Sequence, residues 1–430
     1  MQYFSTNGRA AVVGFREALL MGQPEDGGLY FPSQIPDLSE LSGSAWSPGS
    51  EAETVFRLMH AYVAGEITDD ALRAICEEAI NFPFPLIEIE PGVFVLELFH
   101  GPTLAFKDVG ARFMSRCLGH FSNSIGKRAV VIVATSGDTG GAVAHGFAGV
   151  EGVSVVILYP KGRVSRVQEL QLTRTASNVI TMEVQGSFDD CQKLAKTALA
   201  DPTLRHNYFL TSANSINIAR WLPQQTYYFT TIRQLAGKRV VFSVPSGNFG
   251  NIAAGLLAQS SGLEAKSFIA ACNANDVVPR YLLTGDYNAE PSRRTLSNAM
   301  DVGDPSNLAR ICELFGNDIG RIRENMAAVS ISDEETAATI KKVHEVCGYT
   351  MDPHTAVAYR ALTRSHTRAR DEVGVVLSTA HPVKFDSVAD ILGNNISVPE
   401  SVAKLEMLER RAVEITSSYE EMVEMIKESL

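Results

Sequence analysis

VVIVATSGDTGGAVAHGF, residues 130–147, decides the fold class. A continuous apolar, β-branched run of strand length gives way at Ser136-Gly137-Asp138-Thr139-Gly140 to a helical stretch of small residues. Such a strand needs cover on both faces, so the expectation is a parallel sheet with helices on either side. VVFSVPSGNFGNIAAGLL, residues 240–257, repeats the design around Ser246-Gly247-Asn248-Phe249-Gly250. In each turn the glycines let the backbone approach closely, and the free N–H groups of the helix start point outward. That builds an anion cradle at the carboxyl end of a parallel strand, where α/β proteins bind ligands. One such turn is equally well a connection whose glycines merely relieve sterics. Two on one chain point to two anionic groups bound at neighbouring strand ends. Neither is a nucleotide fingerprint, since GxxxxGK[ST] and a GxGxxG after a strand are both missing.

The same β/α texture extends outward from these turns. VFVLELF (93–99), VSVVILYP (153–160), NVITMEVQG (178–186), YFLTSA (208–213), KSFIAACN (266–273) and VGVVLSTA (373–380) read as further strands, separated by helical stretches such as 333–347 and 352–362. Asp352-Pro353 forms a cap-plus-first-turn pair, so His354 reads as structural before catalytic. Residues 1–91 read as a separate, small, mostly helical domain, with helices over 51–64 and 69–80 and a linker over 81–91. Residues 92–235 and 236–430 are expected to form two α/β domains that exchange segments, with residues 399–430 ending as a solvated surface helix.

The charge balance, 38 basic against 49 acidic residues for a net −11, argues against nucleic acid and anionic membranes. The N-terminus shows no basic segment followed by an apolar core. The six cysteines have no CxxC spacing. Both point to a reduced, cytoplasmic compartment without zinc.

HGPTLAFKDVGARFM, residues 100–114, carries the chemistry. It places Lys107 between an apolar approach and the start of a helix that Asp108 can cap. The positive end of the helix dipole and apolar neighbours both favour the neutral amine, which Schiff-base chemistry requires. A surface lysine is the ordinary alternative. A lysine beside a phosphate cradle points to pyridoxal phosphate, whose aldehyde condenses with an amine and whose ring accepts electrons.

Two further strand ends supply polar groups. Ser378-Thr379 offers a hydroxyl to a pyridine nitrogen, with His381 and Lys384 as alternatives. SANSINIAR places Asn214, Ser215 and Asn217 ahead of Arg220, which suits a phosphate clamp. Lys161, Arg163 and Arg166 read as surface charges.

These motifs, together with GGLYFP, TLSNAMDVGDPSN, DPHTAVAYRAL and STAHPVKF in their order, resemble the threonine synthase family of the longer bacterial and fungal type. The resemblance implies the fold type II architecture of pyridoxal phosphate enzymes, with the cofactor between two α/β domains. It also implies conversion of O-phospho-L-homoserine and water to L-threonine and phosphate, by a monomer or homodimer. A related lyase releasing a 2-oxo acid and ammonia is the alternative. Carried over by residue, Lys107 is similar to the Schiff-base lysine, next to Phe106. Gly247, Asn248, Phe249, Gly250 and Asn251 resemble the cofactor-phosphate loop, and Thr379 the partner of the pyridine nitrogen. Ser136, Gly137 and Thr139 resemble the substrate-carboxylate loop, and Asn214, Ser215 and Arg220 the substrate-phosphate site. Asp138 stands where many relatives of the wider fold place an asparagine against the cofactor's 3-oxygen. An anion there implies that Asp138 turns away or that one of the two oxygens is protonated.

Overall fold

The computed structural model describes residues 1–43, 51–63, 65–122, 124–365, 371–393 and 396–430. Two parallel sheets organise it. The larger has six strands in the order Met326–Ser330, Ala265–Cys272, Arg239–Pro245, Glu372–Ser378, Val93–Glu97 and Leu86–Glu90. All neighbours run parallel except the last pair. The smaller has five parallel strands in the order Ala412–Ile415, Val179–Val184, Val153–Pro160, Ala129–Ala134 and Phe209–Thr211. The two α/β layers expected from the continuous apolar runs are present. All eight residues of Val153–Pro160 are buried. Each fully buried Val, Ile or Leu there contributes about 1.5–3 kcal/mol by leaving water.

Sheet membership does not follow chain order. Val93–Glu97 lies beside Glu372–Ser378, while Ala412–Ile415 lies beside Val179–Val184. The chain therefore enters the six-stranded sheet, builds four strands of the other, returns, and ends in the five-stranded sheet.

Three expectations are corrected. The supposed linker contains the strand Leu86–Glu90, antiparallel to Val93–Glu97. Its Leu-Ile-Glu-Ile-Glu alternation suits an edge strand, and the flanking prolines hide it. Residues 399–430 are not one solvated helix but helix Glu400–Glu406, strand Ala412–Ile415 and helix Tyr419–Ser429, with Ile415, Met422 and Ile426 buried. The N-terminal region adds a three-stranded antiparallel sheet, Val13–Gly14, Gln2–Ser5 and Tyr30–Pro32, to helices Phe15–Met21, Glu51–Val63 and Asp69–Ala79. Ala64, the expected last residue of the second helix, lies outside the described residues. No helix among the described residues is long and apolar enough to cross a membrane.

Candidate active site

The carboxyl ends of both sheets face one cavity. Arg239–Pro245 and Glu372–Ser378 are neighbours, so the glycine turn after Pro245 and Thr379 emerge side by side. Ala129–Ala134 and Phe209–Thr211, neighbours in the other sheet, bring Ser136, Asp138, Thr139 and Ser215 to the opposite wall.

Lys107 is the first residue of helix Lys107–Ser122. Its backbone is fixed on both sides. An isolated bridge pairs Ala105 with Ala380, and the Phe106 N–H donates to the Thr379 carbonyl at 2.9 Å. The Phe106 carbonyl accepts from the Tyr227 hydroxyl at 2.6 Å. Asp108 does not cap this helix. Buried, it accepts from the Thr103 N–H at 2.8 Å and the Thr103 hydroxyl at 2.6 Å, and so holds the approach loop instead.

The Lys107 side chain is 18% exposed. Burial lowers its pKa. Asp138 opposes that shift, while Lys384 and Arg220 reinforce it. Asp138 Oδ2 lies 4.0 Å from Lys107 Nζ, and Asp138 Oδ1 lies 2.9 Å from Lys384 Nζ. Gln168 Nε2 donates to the same carboxylate at 3.0 Å. Burial raises the Asp138 pKa, but the charges of Lys384 and Lys107 and the hydrogen bonds from Lys384 and Gln168 outweigh it, leaving it below the usual carboxylate range. Asp138 is thus ionised between two lysines. The conflict expected at this position is met by a counter-cation, Lys384, which is fully buried and also donates to the Thr103 carbonyl at 2.7 Å.

The second turn is shaped for close backbone approach. A Cβ on Gly247 would sit 2.5 Å from Met300 Cα. Phe249 is left-handed at φ 59° and precedes helix Gly250–Ser260, whose start has no side-chain cap. Asn251 Nδ2, at the same helix start, is buried without a partner, although its oxygens accept from Tyr228. Asn248 Nδ2 donates to Ser215 Oγ at 2.9 Å and so links the two walls. Asn307 Nδ2 and the Ser306 N–H bind Asn248, and Arg310 holds Asn307 Oδ1 at 2.9 Å. Arg310, buried against Trp221, also donates to the Tyr30 and Ile216 carbonyls. It therefore ties the N-terminal region to the loop.

Arg220 is buried. Nη1 donates to the Ala213 carbonyl at 2.5 Å, while Nε has no partner. Burial lowers its pKa to about 10, only partly offset by Tyr227 and Asp108, so it remains cationic at neutral pH.

The structure thus gathers Phe106, Lys107, Ser136, Asp138, Thr139, Ser215, Arg220, Gly247–Asn251 and Thr379 around one cavity. Two predicted residues do not line it. Gly137, at φ 147°, is buried behind the wall, with its N–H on Thr135 Oγ1. Asn214 is exposed, and its carbonyl accepts the Asn217 N–H. His381 accepts from the Val383 N–H and turns the chain. Lys161 pairs with Glu414 and Arg166 with Glu406 at the surface, and Arg163 is exposed.

Sequence reasoning missed Gln168, Gln224, Asn298 and Met300 in the cavity wall. Only Gln168 leaves a trace: Ser165 and Gln168 form a capping box, and the amide left over reaches Asp138. His354, in the first turn of the helix that Asp352 caps, lines the site. Its Nδ1 lies 2.8 Å from Asp352 Oδ1, and its Nε2 accepts the Ala299 N–H at 3.2 Å.

A desolvated amine, an uncapped helix start behind a glycine turn and an unpaired amide donor there form a set that fits pyridoxal phosphate. Comparison with known proteins agrees. Residues 81–379 match the profile described as pyridoxal-phosphate dependent enzyme, residues 2–80 that of the threonine synthase N terminus, and residues 355–426 that of the threonine synthase C-terminal region. The threonine synthase of Escherichia coli is 42% identical over 408 residues, covering 94% of each chain. This chain belongs to the threonine synthase family. Among the family's solved structures, the pyridoxal phosphate-bound threonine synthase of Brucella melitensis superposes with a TM-score of 0.94 at 35% identity, covering 100% of this chain and 99% of that one. The yeast threonine synthase gives 0.92 at 34% identity, covering 100% and 98%.

Proposed function

We propose that this site converts O-phospho-L-homoserine and water to L-threonine and phosphate with pyridoxal 5'-phosphate. One observation carries the reading: the desolvated amine of Lys107 lies in a cavity with two separate anion sites, the helix start at Gly247–Asn251 and the Arg220 cation beside Ser215, which has no carboxylate partner among the described residues. One anion site suits a phosphorylated cofactor and the other a phosphorylated substrate.

When bound, the cofactor supplies an aldehyde for an amine and an electron sink for an amino acid's carbanion. Gly247 to Asn251 would hold its phosphate, Phe106 and Thr379 its ring, and Lys107 its aldehyde carbon. Lys107 Nζ would take the α-proton of the substrate and then move a proton at the β-carbon. Burial lowers its pKa and so favours the neutral amine that accepts that proton. Ser136 and Thr139 orient the substrate carboxylate, with Gly137 shaping their turn. Ser215, Arg220 and Thr139 hold the departing phosphate, and Arg220 stabilises its developing charge. Asn214 acts on that loop through its carbonyl, which fixes Asn217. Closure of the two walls, linked already by Asn248 and Ser215, excludes the bulk water that would divert intermediates. A cytoplasmic setting accompanies this reading, supported by cysteines that are all free thiols.

Purified protein supplied with the cofactor and O-phospho-L-homoserine should release phosphate and threonine in equal amounts. Release of ammonia and a 2-oxo acid instead of threonine would assign the related lyase activity and overturn the reading.

A further inference from the structure

Lys384 has no role in the chemistry above, yet it is the most completely buried lysine at the cavity. It lies at the end of the short turn Pro382–Lys384, which follows Thr379, and is fully shielded from solvent. Its ammonium makes two contacts, with Asp138 Oδ1 at 2.9 Å and the Thr103 carbonyl at 2.7 Å. Asp138 has a second ammonium within reach, Lys107 at 4.0 Å. One carboxylate thus stands between two lysines and takes the closer contact from the one with no expected chemistry. Burying an ammonium costs several kcal/mol unless it is paired, so a lysine spent on this carboxylate calls for an account.

We propose that Lys384 is a positioning residue whose ammonium draws the Asp138 carboxylate away from Lys107, so that the two act as one neutral unit beside the reactive amine. The inference rests on the assignment of Lys107 as the cofactor lysine. Without Lys384, Asp138 would be a buried carboxylate whose nearest cation is Lys107. A direct pair would then hold Lys107 protonated and hydrogen-bonded, when it must instead be a nucleophile and a base. The other groups around Lys107 do not substitute for Lys384. Arg220, on helix Ile218–Trp221, disfavours the lysine charge but makes no ion pair with Asp138 among the described residues. Asp108 faces Thr103. The Tyr227 hydroxyl is spent on the Phe106 carbonyl. His354 is held between Asp352 and Ala299. Gln168 touches Asp138 but carries no charge.

Asp138 raises the pKa of Lys107, and Lys384 lowers it. Lys384→Met removes a repelling cation and frees Asp138 to pair with Lys107, so both changes push Lys107 up. Asp138→Asn removes the attracting anion and leaves Lys384 uncompensated, so both push Lys107 down. The double variant removes the two opposed influences together.

The test reads Lys107 itself in the full-length protein freed of cofactor. The rate of carbamylation by cyanate, in which the neutral amine attacks the carbon of isocyanic acid, is followed at Lys107 across pH by peptide mass spectrometry. Lys384→Met should move the profile up by about one pH unit, slowing reaction near pH 7.5 about tenfold. Asp138→Asn should move it down, and the double variant should return to within about 0.3 of the parent. Should Lys384→Met fold poorly for want of a counter-charge, the Asp138→Asn and double profiles still decide the question. Shifts of both single variants in one direction, or a double variant that keeps a single variant's displacement, would overturn the proposal. Borohydride fixation of pyridoxal phosphate on the parent protein separates the two levels. A label on another lysine refutes the Lys107 assignment, whereas a label on Lys107 with unmoved profiles refutes only the role of Lys384.

Discussion

Arg220→Met isolates substrate recognition from cofactor binding. The parent guanidinium is 3% exposed, donates through Nη1 to the Ala213 carbonyl, leaves Nε without a partner and ion-pairs with no carboxylate among the described residues. A planar cation in that state suits a bidentate grip on a phosphate. Two charge-assisted hydrogen bonds lost at about 1.5–3 kcal/mol each amount to about 3–6 kcal/mol, a fall of about 10²–10⁴ in kcat/KM. Methionine keeps most of the stem volume, so the cavity should not collapse. The fold itself should not suffer, because the variant removes a buried charge that has no counter-ion, and Tm should hold or rise. The assay is steady-state kinetics with O-phospho-L-homoserine, alongside titration of the full-length protein with pyridoxal phosphate. Cofactor affinity should stay within about threefold, because the proposed seat of that phosphate, the Gly247–Asn251 helix start, does not include Arg220. A loss in kcat/KM below about tenfold, or an equal loss of cofactor affinity, would refute the assignment of Arg220 to the substrate.

Two other substitutions probe the remaining supports. Lys107→Met should abolish turnover and yet raise Tm at pH 7. A lysine whose folded pKa is lowered by burial destabilises the fold while its unfolded form stays charged, so the gain should fade as pH climbs toward about 10.4. A drop in Tm at pH 7, seen by calorimetry of the cofactor-free proteins, would contradict a desolvated Lys107. Gly247→Ala places its new carbon against Met300 Cα at 2.5 Å, where only backbone movement gives relief. Overpacking of that kind costs about 1–3 kcal/mol, and cofactor affinity measured by absorbance titration should fall about tenfold or more while the far-ultraviolet spectrum is unchanged.

What the sequence disclosed of this site was its strand ends. Lys107, the Ser136–Thr139 turn, the Gly247–Asn251 turn and Thr379 each follow an apolar run, and a parallel sheet sends every such run toward the same edge. Their convergence was legible before any coordinates, because periodicity gives the direction of a strand and glycines mark where a ligand approaches. The groups that escaped notice, or were given another role, reach the neighbourhood of the cavity from elements whose local pattern has another explanation. Gln168 completes a capping box, His354 follows a helix-starting Asp-Pro pair, and Lys384 ends a proline turn. Each satisfies a local rule, and nothing local shows that its side chain has a second partner across the interface. Edge strands were hidden for a related reason. Leu86–Glu90 and Ala412–Ile415 draw their stability from Val93–Glu97 and Val179–Val184, partners three to ten residues away in one case and more than two hundred in the other. The Asp138 problem shows the same division most sharply. Taken with its neighbours in sequence, an aspartate at that turn implied repulsion and a choice between rotation and protonation. Its answer lay 246 positions downstream, in a buried lysine whose neighbours in sequence, Val383 and Phe385, are apolar. Charge compensation is a property of space, so an unbalanced acid beside a reactive amine is best taken as a demand for a distant base.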